Sequence, residues 1–332
     1  MNRRWAVRLT GDLSRHTGQG TYPVKTPRNS RDIAREVTNA IVSRLEAGTT
    51  PWTRSWSLTG EGGRPLRHEG TPYNGINCLW LWTIADARGY RSRYWMTARQ
   101  AEELGAQVRR KADPSMSIYA SSFRKAGQPG LMGEATGQLI RFLRHYIVYN
   151  ADEIEGLPDY YYARDVPPTP SLLSQRQDAI DTFFAAIPAR VRHGGDEAYY
   201  SPLGDYIQLP HPGSFKSGDA YASTRGHESA HWSGSKDRLN RTFGKRFGDD
   251  AYCVEELCAE LTTSYICAEL GLPTELHDSH ASYLAHWVRV LRADHSAIFT
   301  ASAKAEQAFN YLRAFSLAEA NTPAGDALKA AA

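Results

Sequence analysis

The sequence predicts an α+β fold in two parts: an N-terminal α+β domain followed by a mostly helical domain with a small β-hairpin or sheet. Three observations carry that expectation. Apolar residues recur at helical spacing near both ends of the chain, alternating or apolar runs that read as strands lie between them, and the charge balance reverses along the sequence. Residues 1–150 hold 23 Lys+Arg against 11 Asp+Glu, whereas 151–332 hold 16 against 25. With 332 residues there is enough chain for two cores.

In order, residues 1–30, basic and poor in apolar side chains, read as a flexible arm. From Arg31 to Ala47, Ile33, Val37, Ile41 and Leu45 recur every four residues and Gly48 closes an amphipathic helix. A second helix is expected over Asn77–Ala87. Thr97 with Gln100 forms a capping box for a short helix ending near Gly105. Segments around Ser117–Ser121 and Leu139–Asn150 read as strands, completing a domain over 31–156. Residues 157–174, with Pro158, Pro167, Pro168 and Pro170, read as a linker. In the second domain, 175–318, a helix over Gln175–Ile187 precedes a hairpin of Ala198–Ser201 and Tyr206–Leu209. Helices over Glu255–Leu270, Ser279–Arg292 and Ser296 to about Ser316 follow, and 319–332 reads as a tail.

No apolar run approaches a membrane span and the N-terminus lacks a secretory pattern, so a cytoplasmic protein without membrane contact is expected. Cys78, Cys253, Cys258 and Cys267 make no CxxC pair; they read as reduced and buried.

The chemistry concentrates in His227-Glu228-Ser229-Ala230-His231. Two imidazoles at i and i+4 share one helix face and can grip one metal ion, and Glu228 beside the first can act as general base on a water. A third ligand is needed, and Glu255, Glu256 and Glu260 lie in the next helix. Glu256 is favoured as ligand and Glu260 as the carboxylate orienting a ligand imidazole, because the two lie one turn apart on one face. Zinc suits two histidines and a glutamate best, with manganese or another divalent ion as alternatives.

The basic half is also rich in tryptophan. Trp52 and Trp56 flank Arg54 in the turn-like PWTRSW, an arrangement that could stack bases and neutralise a phosphate of single-stranded DNA. Tyr73, Asn74, Arg109, Arg110 and Lys111 are further candidate contacts, each with an ordinary alternative in turn chemistry or solvated surface.

The motifs LEAGTTPW, YNGIN, YWMTARQAEELGAQV and VYNADEIEGLP, followed by YYSPLGDYIQLP, HESAHWSGSKDRLNR, VEELCAEL and HASYLAHWVRVL, together resemble the ArdC-type antirestriction family over about residues 31–316. The resemblance implies an N-terminal single-stranded-DNA-binding domain and a C-terminal zincin-like metallopeptidase domain. It further implies a mobile-element protein that protects incoming DNA from host restriction. Whether peptide hydrolysis occurs, on a protein or peptide substrate, is left open by the fold. Two alternatives stand beside that reading: a metallopeptidase brought to DNA-bound proteins, and a DNA shield with a structural metal. In the matched HASY segment, His280 and Tyr283 are candidate oxyanion donors.

Overall fold

A computed structural model describes residues 30–52, 63–125, 138–163, 169–243, 250–273 and 281–320. The arm, the tail beyond residue 320 and the prolines 167 and 168 lie outside these residues.

The N-terminal part begins with α1 (Ser30–Glu46), closed by Gly48 at φ 75°. A four-stranded sheet follows in the order β1 (Leu66–Arg67), β2 (Tyr94–Met96), β5 (Gln138–Asn150), β4 (Ser115–Lys125). β1 is parallel to β2 and the other pairs are antiparallel. The long β4–β5 ribbon matches the two expected strands; β1 and β2 are too short to announce themselves by alternation. Helix α2 (Gly75–Arg88) packs against β4. There Asn77 Nδ2 donates to the Ile118 carbonyl and its Oδ1 accepts from the Ile118 N–H, satisfying that stretch of the sheet edge. The short α3 (Ala98–Glu103) carries the expected capping box, Thr97 and Gln100 each accepting from the other's backbone N–H. β3 (Gln107–Val108) and β6 (Ile154–Glu155) pair separately over a small second core that includes Met96, Leu157 and Tyr161.

Leu157 and Tyr161 are therefore packed where a free linker was expected. The chain enters α4 (Pro170–Ala186) already at Pro170, with Thr169 Oγ1 capping the Leu172 N–H. Next come β7 (Val191–His193), β8 (Tyr199–Ser201) and β9 (Tyr206–Leu209), in the order β7-β9-β8. The β8–β9 turn holds Asp205 at φ 46°, a conformation short polar side chains tolerate. Helices α5 (Gly218–Ser233), α6 (Ala251–Leu270), α7 (Ala281–Ala293) and α8 (Ala297–Ala320) complete the described chain.

α6 is the central helix, buried over most of its 20 residues. Its polar run Thr262-Thr263-Ser264 survives there because each hydroxyl donates to the carbonyl four residues back. One continuous core joins the two parts of the chain: Ile33, Val37 and Ile41 of α1 and Leu79 and Trp82 of α2 cluster with Leu261 and Tyr265 of α6, Leu291 of α7 and Phe309 of α8. A buried polar node ties the same junction. Arg64 donates to both Glu306 oxygens at 2.9 and 3.1 Å, Glu306 accepts from the Gly75 N–H at the start of α2, and Tyr265 donates to the Gly75 carbonyl. All four cysteines are buried and free, and burial pushes the Cys258 and Cys267 thiols up to about 12. Among the described residues no helix is long and apolar enough to cross a membrane.

Candidate metal centre and nucleic-acid interface

α5 and α6 pack side by side, and their polar residues meet at one point. Ser217 caps α5 by accepting from the Ala220 N–H, and Ser229 inside the motif donates to the Arg225 carbonyl, so its hydroxyl is satisfied in a buried helix. His227 Nε2 and His231 Nε2 lie 3.1 Å apart. The Glu256 carboxylate faces both, at 3.5 Å from His227 Nε2 and 3.4 Å from His231 Nε2. Among the described residues, these three form a group of donors that could hold a metal ion, with ligand atoms all within 4.8 Å of one another.

Each imidazole has its other nitrogen against a carboxylate: His227 Nδ1 is 3.2 Å from Glu260 Oε1, and His231 Nδ1 is 3.1 Å from Glu255 Oε1. Glu255 was not expected here. Viewed down α6 it lies about 100° to one side of Glu256, while Glu260 lies about 40° to the other. With the two helices packed lengthwise, the residues straddling Glu256 reach one histidine each. Glu255 is held in turn by Arg241, whose Nε donates to Oε2 at 2.8 Å and whose Nη2 donates to Oε1. The Arg241 side chain is only 1% exposed. Gly234 makes room for it, since a Cβ there would lie 2.6 Å from Arg241 Nη2. The signal for Glu255 was present in the sequence as a third acidic residue and an arginine after the motif, but only the helix packing joins them.

The electrostatics follow from this geometry. Burial favours the neutral form of His227, yet the Glu256 and Glu260 carboxylates outweigh it and hold the ring well above the usual imidazole range. Burial works against the Glu255 charge, but Arg241 and His231 bring its carboxyl down to about 2. Glu256, opposed by burial, is lowered by His227.

Glu228 is buried beside His227 and lines a cavity of about 940 Å³ with His231, Glu256, Tyr252 and Tyr283. β8, at one edge of its sheet, forms a wall through Tyr199 and Tyr200. Arg238 fixes that wall: it donates to Asp205 Oδ1 and to the Tyr200 hydroxyl, and it covers the Trp232 ring at 4.0 Å. Tyr283 stacks on Trp287 and its hydroxyl donates to that of Tyr252 at 3.3 Å. His280 lies outside the described residues.

The expected nucleic-acid contacts divide differently. Trp52 is 0% exposed, packed edge-on against Trp287, and Tyr73 is 1% exposed. Both belong to the core and offer no free ring face to a base, which corrects the reading of Trp52 as a stacking residue and of Tyr73 as a DNA contact. PWTRSW looks like a surface turn, but the partner that buries Trp52 lies more than two hundred residues away. Arg54 and Trp56 lie outside the described residues. Asn74 precedes α2 and accepts from Arg64. Arg109 is exposed and pairs with Glu155, while Arg110 and Lys111 are exposed at the following turn.

Comparison with known proteins matches two stretches of the chain. Residues 31–149 match the N-terminal domain of anti-restriction factor ArdC, and residues 178–304 match a zincin-like metallopeptidase family. The uncharacterized protein y4eC of Sinorhizobium fredii is 35% identical over 87% of this chain and 94% of its own length. A DNA primase TraC of Escherichia coli is 34% identical over 84% of this chain, which spans only 27% of that primase. The metal-free crystal structure of the antirestriction ArdC protein from plasmid R388 superposes with a TM-score of 0.72 at 38% identity, covering 86% of this chain and 98% of that one. Its Mn(II)-bound structure gives a TM-score of 0.67 at the same identity and coverage.

Proposed function

Since the chain belongs to the ArdC-type antirestriction family, with a zincin-like domain, we propose that it binds single-stranded DNA of a mobile element and protects it from host restriction, and that it carries a divalent-metal centre of peptidase type. The observation that carries the metal centre is the convergence of His227 Nε2, His231 Nε2 and a Glu256 oxygen. Ligands about 2.0–2.1 Å from a tetrahedral ion sit about 3.3–3.4 Å from one another. The 3.1 Å between the two Nε2 atoms is close to that edge length, as are the 3.5 Å from His227 Nε2 to Glu256 Oε2 and the 3.4 Å from His231 Nε2 to Glu256 Oε1. The donor set suits zinc, and manganese is the alternative in view of the Mn(II)-bound R388 structure.

His227, His231 and Glu256 would hold the ion, with Glu260 and Glu255 fixing the tautomer and aim of the two rings. A divalent ion there supplies Lewis acidity toward a carbonyl. Glu228 takes the proton of the attacking water and passes it to the leaving amine. Tyr283, at the cavity wall, donates to the developing oxyanion, and His280 is the other candidate for that role.

The alternative of a peptidase directed to DNA-bound proteins draws support from β8. An extended peptide added along this edge strand would run past Glu228 and the two histidines. Glu228→Ala separates the readings. It keeps all three proposed ligands, so it is expected to retain metal and DNA binding and to lose any hydrolysis. Transfer of a conjugative plasmid into a restricting recipient is the readout. Protection that persists assigns the function to the DNA shield, and protection lost in a folded, DNA-binding variant assigns it to proteolysis. A wild-type protein that binds no single-stranded DNA contradicts the proposal.

A further inference from the structure

With Trp52 and Tyr73 in the core, the β4–β5 ribbon offers another surface for base stacking. Register pairs Ser117 with Tyr146, Tyr119 with Arg144 and Ser121 with Phe142, which places Tyr119, Tyr146, Arg144 and Phe142 on one face. Met116 and Ile118 of the alternate register lie in the core. A strand with one buried face ordinarily turns polar residues outward. Here Tyr119, Phe142, Arg144 and Tyr146, four of the six positions in those three pairs, are aromatic or cationic instead. Tyr119 is 44% exposed and Tyr146 38%, their rings are 6.3 Å apart, and Arg144 extends beside Phe142 with its guanidinium carbon 5.1 Å from the ring centre. Arg67 adds a second cation at the base of the patch, over the ring of Tyr73, whose hydroxyl lies beside that of Tyr146.

We propose that this face, built on Tyr119, Tyr146, Arg144 and Phe142, is where unpaired bases of single-stranded DNA stack; the assignment rests on the single-strand-binding reading above and gives it residues. Exposed rings beside guanidinium groups match a ligand that alternates flat π-faces with phosphates. The charge is complementary, since the first 150 residues carry more than twice as many Lys+Arg as Asp+Glu. A flat sheet face reaches bases only where they are unpaired, so duplex is a poor occupant. Strand addition by a protein partner is a poor one too, because Asn77 already engages the Ile118 backbone next to Tyr119.

The test uses the full-length protein and a fluorescein-labelled oligothymidine, read by anisotropy across a salt series. Tyr119→Ala and Tyr146→Ala are each expected to weaken binding roughly 5- to 100-fold, while Tyr119→Phe and Tyr146→Phe, which keep the ring, stay within about two-fold of wild type. Arg144→Ala is expected to lower the slope of log affinity against log salt by about 0.7, the loss of one phosphate contact. Alanine variants with wild-type circular dichroism and wild-type affinity overturn the surface and leave the single-strand reading standing. A wild-type protein that fails to bind the oligonucleotide overturns both. Self-association in the wild type that the alanine variants abolish, with DNA affinity unchanged, makes the face a contact between copies and overturns the assignment.

Discussion

Replacing Glu255 offers a sharp view of how the metal centre is held, because this carboxylate is expected to serve two partners at once. In the presence of metal, Glu255→Gln removes the charge behind His231 and is expected to weaken binding about 10- to 100-fold, as is Glu260→Gln behind His227. Glu256→Ala removes a ligand itself and loses more than either. The three glutamates separate further when metal is stripped. Glu255→Ala then leaves the Arg241 guanidinium, 1% exposed, without its carboxylate, and breaking a buried pair in this way costs about 3–5 kcal/mol. The displacement of the Glu255 carboxyl from 4.5 to about 2 corresponds to about 3 kcal/mol, in the same range. Competition against a chromogenic chelator measures the first effect, and thermal unfolding with excess chelator the second, where about 3 kcal/mol lowers the midpoint of a chain this long by roughly 4–6 °C. Wild-type metal affinity in Glu255→Gln beside a large loss in Glu260→Gln would refute the two-sided support. Equal chelator-treated melting of Glu255→Ala and wild type would refute the role of Arg241.

Two further expectations concern the frame around the site. Trp52→Ala is expected to destabilise the full-length protein by about 3–5 kcal/mol, because it empties a core position against Trp287; denaturant melts check this, and a folded variant that loses only DNA binding would return Trp52 to the surface. Asp205, held below the usual carboxylate range by Arg238, contributes stability that is present above its unfolded value of about 3.9 and lost as pH falls through its folded value. The group is mostly exposed, so this amounts to less than about 1 kcal/mol. Asp205→Asn is expected to flatten that acid limb in melts across pH 2–6 and to leave neutral stability within the same margin.

Long amphipathic elements were legible in the sequence because their period is written locally. The i+4 repeat of Ile33, Val37, Ile41 and Leu45 and the Thr97–Gln100 box needed no distant partner. The pairing of His227 and His231 on one face and the alignment of Glu256 with Glu260 were readable for the same reason, being properties of single helices. What stayed hidden depended on contacts between elements. Glu255 joins His231 only through the packing of α5 on α6, and Arg241 reaches it across Gly234. Trp52 reads as a surface aromatic until α7 brings Trp287 against it. The charge reversal suggested two separable halves, but Arg64 and Glu306 lie at opposite ends of the chain and meet in one core. Strands of two or three residues, such as β1 and β7, are too short for alternation to register at all.

The central claim is that one divalent ion sits between two histidines of α5 and one glutamate of α6. Crystals soaked in Mn(II) or zinc and measured for anomalous scattering locate that ion without reference to activity. The expected result is a single strong peak about 2.0–2.3 Å from His227 Nε2, His231 Nε2 and a Glu256 oxygen. A peak bound instead by Glu255 or Glu260, or no peak in this group at saturating metal, would contradict the account.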